Sequence, residues 1–296
     1  MTSGTNSTSK LALGTVQFGM PYGVANQTGQ VTREEAKSML RFASSSSVDT
    51  IDTAIGYGDS ENCLGDIGVD GFKIITKLPR VPGDCLDVRS WIWQQVSASM
   101  VRLGVTQVYG LLLHCPEQVI EPKGKIICQV LRELKEIGQV KKIGLSISSP
   151  SELDELFSLI QPDLVQAPFN IVDRRLYKSG WMQRLKANDV EIHVRSAFLQ
   201  GLLLVESGMM PSKFSAWDDL WRVWRDWLEN ENVSALEACI GFVYSFSEID
   251  RVVVGADNLM QFKQIVGATK CVPPLSFPDL ESDSEYLITP VRWLAT

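Results

Sequence analysis

The chain has 296 residues; 45% are hydrophobic and 21% charged, and 28 basic against 35 acidic side chains give a formal net charge of −7. This composition is too apolar for intrinsic disorder, and it lacks the basic surplus typical of proteins that bind nucleic acid. The length fits either two ordinary domains or one α/β barrel of roughly 250 residues.

The predicted strands are eight short runs rich in Val, Ile and Leu. Continuous rather than alternating apolarity is typical of strands that are buried on both faces, as in parallel sheets. In chain order, the runs are 11–15, 48–52, 72–77, 108–114, 141–146, 163–166, 191–196 and 251–255.

The predicted helices lie between these runs, where apolar residues recur at spacings of three and four. Thr32 and Ser234 are predicted N-caps, and Gly104 and Gly138 stand where helices are expected to end. The helices are expected at about 33–43, 60–65, 88–103, 125–137, 153–160, 176–186, 235–244 and 258–266.

Eight strand–helix alternations without a Pro/Gly/Ser linker predict a single (β/α)8 TIM barrel over 1–296 rather than two domains. Two regions fall outside the alternation: a Trp-rich insertion at about 208–232 and an irregular tail from about 270. The four tryptophans of the insertion recur at helical spacing and predict a helix packed on the barrel. The alternative is a lid or partner-binding surface, because an insertion after strand seven borders the C-terminal face.

Location and metal binding are predicted from signals that the chain lacks. Residues 1–10 do not have the basic start and apolar core of a secretory signal, and no apolar run of about 18 residues predicts a membrane span. Six cysteines scattered singly are typical of free thiols in a reducing cytoplasm. No metal site is expected, because His114 and Cys115 are strand neighbours that point to opposite faces.

Polar side chains end most of the apolar runs. In a barrel these positions share the C-terminal face, where active sites are built. A single charge that closes a strand is often only solvated, and a lone histidine is more often structural than catalytic. The inference therefore depends on three consecutive strands ending in polar groups, with Tyr57 five residues after the first. The strand-ending residues are Asp52, Lys77, His114, Ser146, Gln166, Arg195 and Ser196.

Three of these side chains, together with Tyr57, suit carbonyl reduction. A buried Asp52–Lys77 ion pair would hold an ammonium beside Tyr57, and a cation beside a phenol favours loss of its proton. Tyr57 is then a general acid able to protonate an oxygen on which charge develops. His114 can donate a hydrogen bond to the same oxygen. The set fits delivery of a hydride to carbon and a proton to oxygen.

Seven motifs occur in order along the chain: GTVQFG (14–19), IDTAIGYG (51–58), ITK (75–77), LLLH (111–114), KIGLS (142–146), QAPFN (166–170) and QGLL (200–203). Together they resemble the aldo-keto reductase family, from residue 11 to about 267. The family's tetrad is matched by Asp52, Tyr57, Lys77 and His114. The resemblance implies a bacterial NAD(P)H-dependent reductase of an aldehyde, ketone or sugar-like carbonyl, on a TIM barrel.

The resemblance also implies a cofactor lying extended across the C-terminal face. Ser146 and Gln166 would hold the nicotinamide amide, and Ser196, Phe198 and Gly201 would line the pyrophosphate path. Further cofactor contacts are expected at the ends of strands one and eight and on the following helix, at Gly14, Thr15, Gly255, Ala256, Asp257, Asn258, Gln261 and Gln264.

Departures from the family pattern occur at both ends of this path. Ile147 stands where an Asn usually helps to hold the amide, and Arg195 where an aromatic residue usually stacks on nicotinamide. We expect Arg195 to contact either the cofactor ring or an anionic substrate group, the alternative being an outward-facing salt bridge. At the adenosine end, Asp257 has the wrong charge for the 2′-phosphate of NADPH, Gln261 takes the usual Arg position, and Lys263 is the nearest cation. The family favours NADPH, whereas these residues favour weak discrimination or NADH.

The substrate is poorly defined by the sequence. The stretches 19–24, 146–150 and 170–174 resemble a bacterial subgroup associated with sugar and polysaccharide metabolism, an analogy that locates no site by itself. Arg174 and Arg175 would receive a carboxylate, a phosphate or a nucleotide-sugar, or else are solvated near a helix start.

Two other functions stay open at this point. A barrel of this family can hold nicotinamide nucleotide as a redox sensor or accessory subunit with little turnover, and the Trp-rich segment would then be an interaction surface. A different barrel enzyme, such as a lyase acting through a Lys77 Schiff base, would leave Tyr57 and His114 unexplained.

Overall fold

Eight parallel strands form a closed barrel in sequential order, in which the last strand pairs with the first. This closed sheet confirms the predicted single (β/α)8 barrel. The computed structural model describes residues 10–23, 26, 28–206, 208–271 and 276–294. Some segments named above lie outside the described residues: residues 1–9, Val24 of the 19–24 stretch, and parts of the tail predicted from about 270. The strands are β1 Leu11–Gly14, β2 Thr50–Asp52, β3 Lys73–Leu78, β4 Val108–Leu113, β5 Val140–Ser146, β6 Leu164–Pro168, β7 Glu191–Arg195 and β8 Arg251–Val254.

Both faces of the sheet are buried, as continuous apolar runs predict. Along β4, Leu112 packs with Ile75 and Leu164 in a small cluster of their own, whereas Leu111 and Leu113 belong to the large core under the helices. Successive strand residues point to opposite faces, so the small cluster fills the barrel interior. The same alternation aims every second residue at the strand ends into the mouth of the barrel.

Helices cover the outside of the barrel. The hydroxyls of Thr32 and Ser234 accept hydrogen bonds from the backbone N–H groups of Glu35 and Glu237, which confirms the two predicted N-caps. Gly104 ends a helix in the left-handed region, at φ 68°. The helices are α1 Val16–Gly19, α2 Arg33–Ser45, α3 Ser60–Ile67, α4 Val88–Leu103, α5 Gly124–Glu136, α6 Leu153–Ile160, α7 Arg175–Lys178, α8 Trp181–Ala187, α9 Asp218–Glu231, α10 Ala235–Tyr244, α11 Leu259–Ala268 and α12 Glu285–Ile288.

The single helix predicted at 176–186 is wrong, because the chain breaks between α7 and α8. Gly180 adopts φ 78°, a left-handed conformation that glycine tolerates and that interrupts a helix. Leu176, Met182 and Leu185 are all buried, so the apolar spacing continues across the break. Periodicity alone therefore did not reveal it.

The Trp-rich insertion forms a short 3-10 turn followed by α9, which packs on the barrel. Trp221 and Trp224 are buried, and their indole N–H groups donate to the carbonyls of Phe214 and Leu203, each at 3.1 Å. Leu203 lies in the segment that follows β7. The helix is therefore fixed beside the mouth of the barrel.

The C-terminal tail packs against the loop that follows β6. The N–H of Ser282 donates to the Val172 carbonyl at 3.0 Å, and Arg174 donates to the Pro278 carbonyl at 2.6 Å. The tail was expected to be irregular, but it contains α12 and a 3-10 segment at Pro290–Leu294.

Within the described ranges, no helix is long and apolar enough to cross a membrane. Among the same residues, no three His, Cys, Asp or Glu side chains are grouped so that they could hold a metal ion. The six cysteines are free thiols.

Candidate active site

The centre of the site is a buried ion pair at the ends of β2 and β3. Nζ of Lys77 donates to Oδ1 of Asp52 at 2.6 Å and to the Thr53 carbonyl at 2.8 Å, and the lysine side chain is 1% exposed. Burial favours the neutral amine, but the charge of Asp52 and the contact with Tyr57 outweigh it and raise the pKa of Lys77. Lys77 is therefore charged at neutral pH.

Tyr57 and His114 complete the predicted tetrad. Nζ of Lys77 lies 4.9 Å from the centre of the Tyr57 ring, and the rings of Tyr57 and His114 meet edge to face with centroids 5.8 Å apart. Burial, together with the positive charge of Lys77, lowers the pKa of His114 to about 4. The imidazole is thus neutral at pH 7 and keeps one N–H donor.

Gln166 has a contact in this network that the motifs did not predict. Its Nε2 donates to Oδ2 of Asp52 at 2.7 Å, while Lys77 bonds to Oδ1, so both carboxylate oxygens are occupied. Gln166 is nearly fully buried on β6 and still forms part of the cavity wall. It therefore fixes the orientation of Asp52 from across the barrel.

The loop that carries Tyr57 packs closely on the loop after β1. A Cβ at Gly19 would lie 1.7 Å from the Tyr57 carbonyl oxygen, and a Cβ at Gly58 would lie 2.5 Å from the Gly19 carbonyl oxygen. Beneath this contact, the Ser60 hydroxyl donates to Thr15 at 2.9 Å. Two glycines and a buried hydroxyl thus set the position of the phenol.

A cavity of about 360 Å³ opens on the C-terminal face, with Asp52 and Tyr57 in its wall. Most of the predicted cofactor-binding residues meet around it, although they come from distant parts of the chain. Those that line the cavity are Gly14, Thr15, Gln166, Arg195, Ser196, Phe198, Gly201, Gly255, Ala256, Asp257, Gln261 and Gln264.

Of the predicted cofactor-binding residues, Ser146 and Asn258 are absent from the described cavity wall, and so are Lys77 and His114 of the tetrad. Ser146 ends β5 and is only 6% exposed. The Asn258 side chain caps the N-terminus of α11. Sequence reasoning also missed four lining side chains from α1, from a 3-10 segment after β7 and from the loop after α1, although one of them stands within the GTVQFG motif. These are Gln17, Tyr22, Asn26 and Gln200.

Comparison with known families agrees with this geometry. A family model described as the Aldo/keto reductase family matches residues 10–277, which include all eight strands. The chain belongs to the aldo/keto reductase family. The resemblance inferred from the seven motifs is therefore confirmed.

The relatives found within this family are distant. Aldo-keto reductase YhdN of Bacillus subtilis (strain 168) is 23% identical over 219 residues, which are 70% of this chain and only 62% of that protein. The holo form of aldo-keto reductase AKR11C1 from Bacillus halodurans superposes with a TM-score of 0.73 at 19% identity, over 90% of this chain and 88% of that one. Its apo form gives 0.69 at 20% identity, over 83% and 84%. At such identities the likeness of structures shows the shared barrel fold.

The environment of Lys77 does not suit Schiff-base chemistry. A nucleophilic lysine must be neutral and must reach its substrate. Lys77 is charged, 1% exposed and bonded to Asp52 and the Thr53 carbonyl. The site therefore gives no support to a lyase that acts through this amine.

Arg195, which departs from the family pattern, lines the cavity. Its Nη2 donates to the Ile147 carbonyl at 3.0 Å, and no described acidic side chain forms an ion pair with it. The outward-facing salt bridge considered from the sequence is therefore wrong. Ile147 and Arg195, which both differ from the family pattern, are therefore in direct contact: the Ile147 carbonyl accepts from the guanidinium that replaces the usual aromatic ring.

The turn after Arg195 is held rigidly by Asn170. Ser196 has φ 62°, a left-handed conformation that costs a non-glycine residue free energy. Nδ2 of Asn170 donates to the Ser196 carbonyl at 3.0 Å, and its Oδ1 accepts from the N–H groups of Val172 and Asp173 at 2.9 Å. Asn170 is buried, so the strained turn has a fixed support.

The Asp257 end of the cavity is lined by acceptors and amides. Oδ1 of Asp257 accepts from Asn26 at 2.9 Å, and its N–H donates to Oε1 of Gln261 at 2.8 Å. Burial raises the pKa of Asp257, and the hydrogen bonds from Asn26 and Gln261 act against that shift. Lys263 faces away, because its Nζ lies 5.7 Å from the centre of the Phe42 ring on α2.

Arg174 and Arg175 lie outside the cavity wall and support the loop after β6. Arg175 pairs with the buried carboxylate of Asp173 at 2.8 Å. Arg174 donates to the carbonyls of Ile171 and Pro278. Both lie at the start of α7, where the sequence placed them, but they are only partly exposed and make these intramolecular contacts.

Proposed function

We propose that this protein reduces an aldehyde, ketone or sugar-like carbonyl with NAD(P)H. The observation that carries the proposal is the contact of Tyr57 with the charged Lys77–Asp52 pair in the wall of a ligand-sized cavity. The free thiols support a cytoplasmic setting for this activity.

Tyr57 supplies the proton in the proposed reaction. The ammonium of Lys77 stabilises the phenolate that remains after the proton has passed to the carbonyl oxygen. His114, neutral at pH 7, donates a hydrogen bond to that oxygen and orients it. Asp52 keeps Lys77 charged, and Gln166 keeps Asp52 in place. A bound nicotinamide nucleotide supplies the hydride that the carbonyl carbon receives.

The cavity wall fits such a nucleotide. Gly14 and Gly255 lie at the ends of the paired strands β1 and β8, in the cavity wall. Because neither has a side chain, a ligand can approach the backbone closely there. A Cβ at Gly255 would lie 2.6 Å from Nε2 of Gln17, so this glycine makes room for the amide. Oε1 of Gln17 is buried without a partner in the described structure, and a hydroxyl or N–H of the nucleotide would satisfy it.

The cavity is proposed to bind NADH at least as tightly as NADPH. A 2′-phosphate needs a cationic partner to bind tightly. Arg195 is the one cation among the described cavity residues, it belongs to the strand-seven end, and Lys263 points toward Phe42. The carboxylate of Asp257 instead offers an acceptor suited to the hydroxyl of NADH.

Substitution of Tyr57 by Phe tests the proton donor. Turnover on a panel of sugar and small aldehydes should fall by about 10²–10⁴, the scale of general acid catalysis. Tyr244→Phe is the matched control, because the Tyr244 hydroxyl is buried, lacks a described hydrogen-bond partner and lies outside the cavity wall. Tight cofactor binding without turnover on any substrate, and a Tyr57→Phe variant that behaves as wild type, would favour the sensor or accessory subunit instead.

Dissociation constants for NADH and NADPH, measured by quenching of tryptophan fluorescence, test the cofactor preference. NADH should bind as tightly as NADPH or more tightly. Gln261→Arg places a cation beside Asp257 and should improve NADPH binding relative to NADH. A wild-type protein that binds NADPH at least tenfold more tightly would contradict the preference, while leaving the proposed reduction intact.

A further inference from the structure

Arg195 is a charged side chain for which the proposed reduction has no use. It lines the same cavity as Asp52, Tyr57 and Gln166, and it lies close enough to His114 for its charge to contribute to the lowered pKa of that imidazole. It forms no ion pair with any acidic residue that the structure describes, and its hydrogen-bond partners are neutral: the Ile147 carbonyl at 3.0 Å and the Ser196 hydroxyl at 3.4 Å. A guanidinium has five N–H donors, so these contacts leave donors for a ligand.

The other charges near Arg195 cancel one another. Lys77 and Asp52 form a 2.6 Å ion pair, and His114 is neutral at pH 7. Arg195 therefore gives the reacting end of the cavity a net positive charge, in a protein whose overall charge is −7. Asp257, which accepts a hydrogen bond from Asn26, is the one carboxylate besides Asp52 among the described residues of the cavity wall.

Arg195 is also held in place before any ligand binds. Its carbonyl accepts from the N–H of Phe169 at 3.1 Å, and the next residue, Ser196, is fixed in its left-handed turn by Asn170. With the guanidinium resting on Ile147, little side-chain freedom is lost on binding an anion. A planar fork held in this way matches the two oxygens of a carboxylate.

We propose that Arg195 binds a carboxylate that the substrate carries beside its reducible carbonyl. This inference rests on the proposed reduction and narrows its substrates to oxo acids, including acidic sugars with a carbonyl next to the carboxylate. In this arrangement Tyr57 and His114 face the carbonyl oxygen while Arg195 holds the neighbouring carboxylate. Two contacts on adjacent carbons fix the carbonyl face that accepts the hydride.

Matched substrates test the assignment. Phenylglyoxylate and its methyl ester present the same ketone beside a charged and a neutral group. Wild type should prefer the acid in kcat/KM. In Arg195→Leu, the loss on the acid should exceed the loss on the ester by about 10- to 100-fold, the scale of hydrogen bonds to a charged group. Arg195→Lys should restore part of that difference, and Arg132→Leu, which removes an exposed arginine on α5, should not produce it.

A binding measurement separates this inference from the proposed function. Oxamate and oxamide, a carboxylate and its neutral amide, are titrated by calorimetry into wild type and Arg195→Leu in the presence of saturating NADH. Oxamate should bind wild type more tightly than oxamide, and this preference should disappear in the variant. Oxamate binding that Arg195→Leu leaves unchanged would place the anion at Tyr57 and His114 and overturn the assignment, as would equal kinetic losses on acid and ester. Were wild type to reduce neither these ketones nor any aldehyde of the panel, the reductase proposal would fail, and the oxamate preference would still decide the role of Arg195.

Discussion

Replacing Asp52 by Asn perturbs the ion pair on which the site is built. The side chains of Asp52 and Lys77 are 5% and 1% exposed. Removing one partner of such a pair leaves a buried charge uncompensated and costs about 3–5 kcal/mol. The lysine can limit the cost by losing its proton, which at pH 7 requires about 4.6 kcal/mol from an ordinary pKa of about 10.4. The two routes agree, so we expect Asp52→Asn to lower the free energy of unfolding by about 3–5 kcal/mol.

The loss should depend on pH with a definite sign. In the wild type the raised pKa of Lys77 stabilises the fold below the unfolded value of about 10.4, and this contribution is lost only as pH rises through the higher folded value. In Asp52→Asn burial prevails, and the folded pKa of Lys77 falls below the unfolded one. The variant should then gain stability as pH rises toward 10, by up to about 1.36 kcal/mol per pH unit.

Urea unfolding followed by tryptophan fluorescence at pH 7 and pH 9.5 measures both effects. The gap between wild type and Asp52→Asn should narrow by at least about 1 kcal/mol at the higher pH. The double variant with Lys77→Met should be more stable at pH 7 than Asp52→Asn alone, because an apolar chain replaces the buried charge. A gap that does not change with pH, together with a double variant no more stable than the single one, would refute the reasoning.

Two further predictions follow from the loop contact and from the imidazole. Gly19→Ala forces the Tyr57 loop outward, since its Cβ would lie 1.7 Å from the Tyr57 carbonyl oxygen, and turnover should fall by about 10- to 100-fold with an unchanged circular dichroism spectrum. Gly83→Ala, which meets no atom within 4 Å, is the control and should keep wild-type turnover. The pKa of His114 is lowered to about 4 in the folded protein, against about 6.5 in the unfolded chain. Between these two values the unfolded chain binds a proton and the folded chain does not, so the wild type loses stability as pH falls from about 6.5 to 4. His114→Phe should lose less over that range in denaturant titrations, and equal losses would contradict the assigned pKa.

The sequence predicted the eight strands and the meeting of the four tetrad side chains, for a physical reason. Strands buried on both faces must be continuously apolar, so the polar residue that ends each run, such as Asp52 or Lys77, marks the C-terminal face. Contacts between side chains on different strands could not be predicted in this way, because they depend on the direction in which each side chain points. Gln166 meeting Asp52 and Arg195 meeting Ile147 depend on rotamers and strand register that leave no trace in spacing. The helix break at Gly180 was missed because the apolar spacing runs through it.

Closure of the barrel between β1 and β8 has a consequence for how the protein is made. Gly14 and Gln17 leave the ribosome before Gly255 and Gln264, which follow the neighbouring strand β8 and line the same cavity. Until β8 emerges, β1 lacks a neighbour on one edge and the cavity lacks one of its walls. A ligand that bridges the two therefore stabilises finished chains and leaves incomplete ones unaffected, since binding shifts stability only for the state that binds. Binding of the proposed nucleotide would in this way favour completed barrels over partly folded ones.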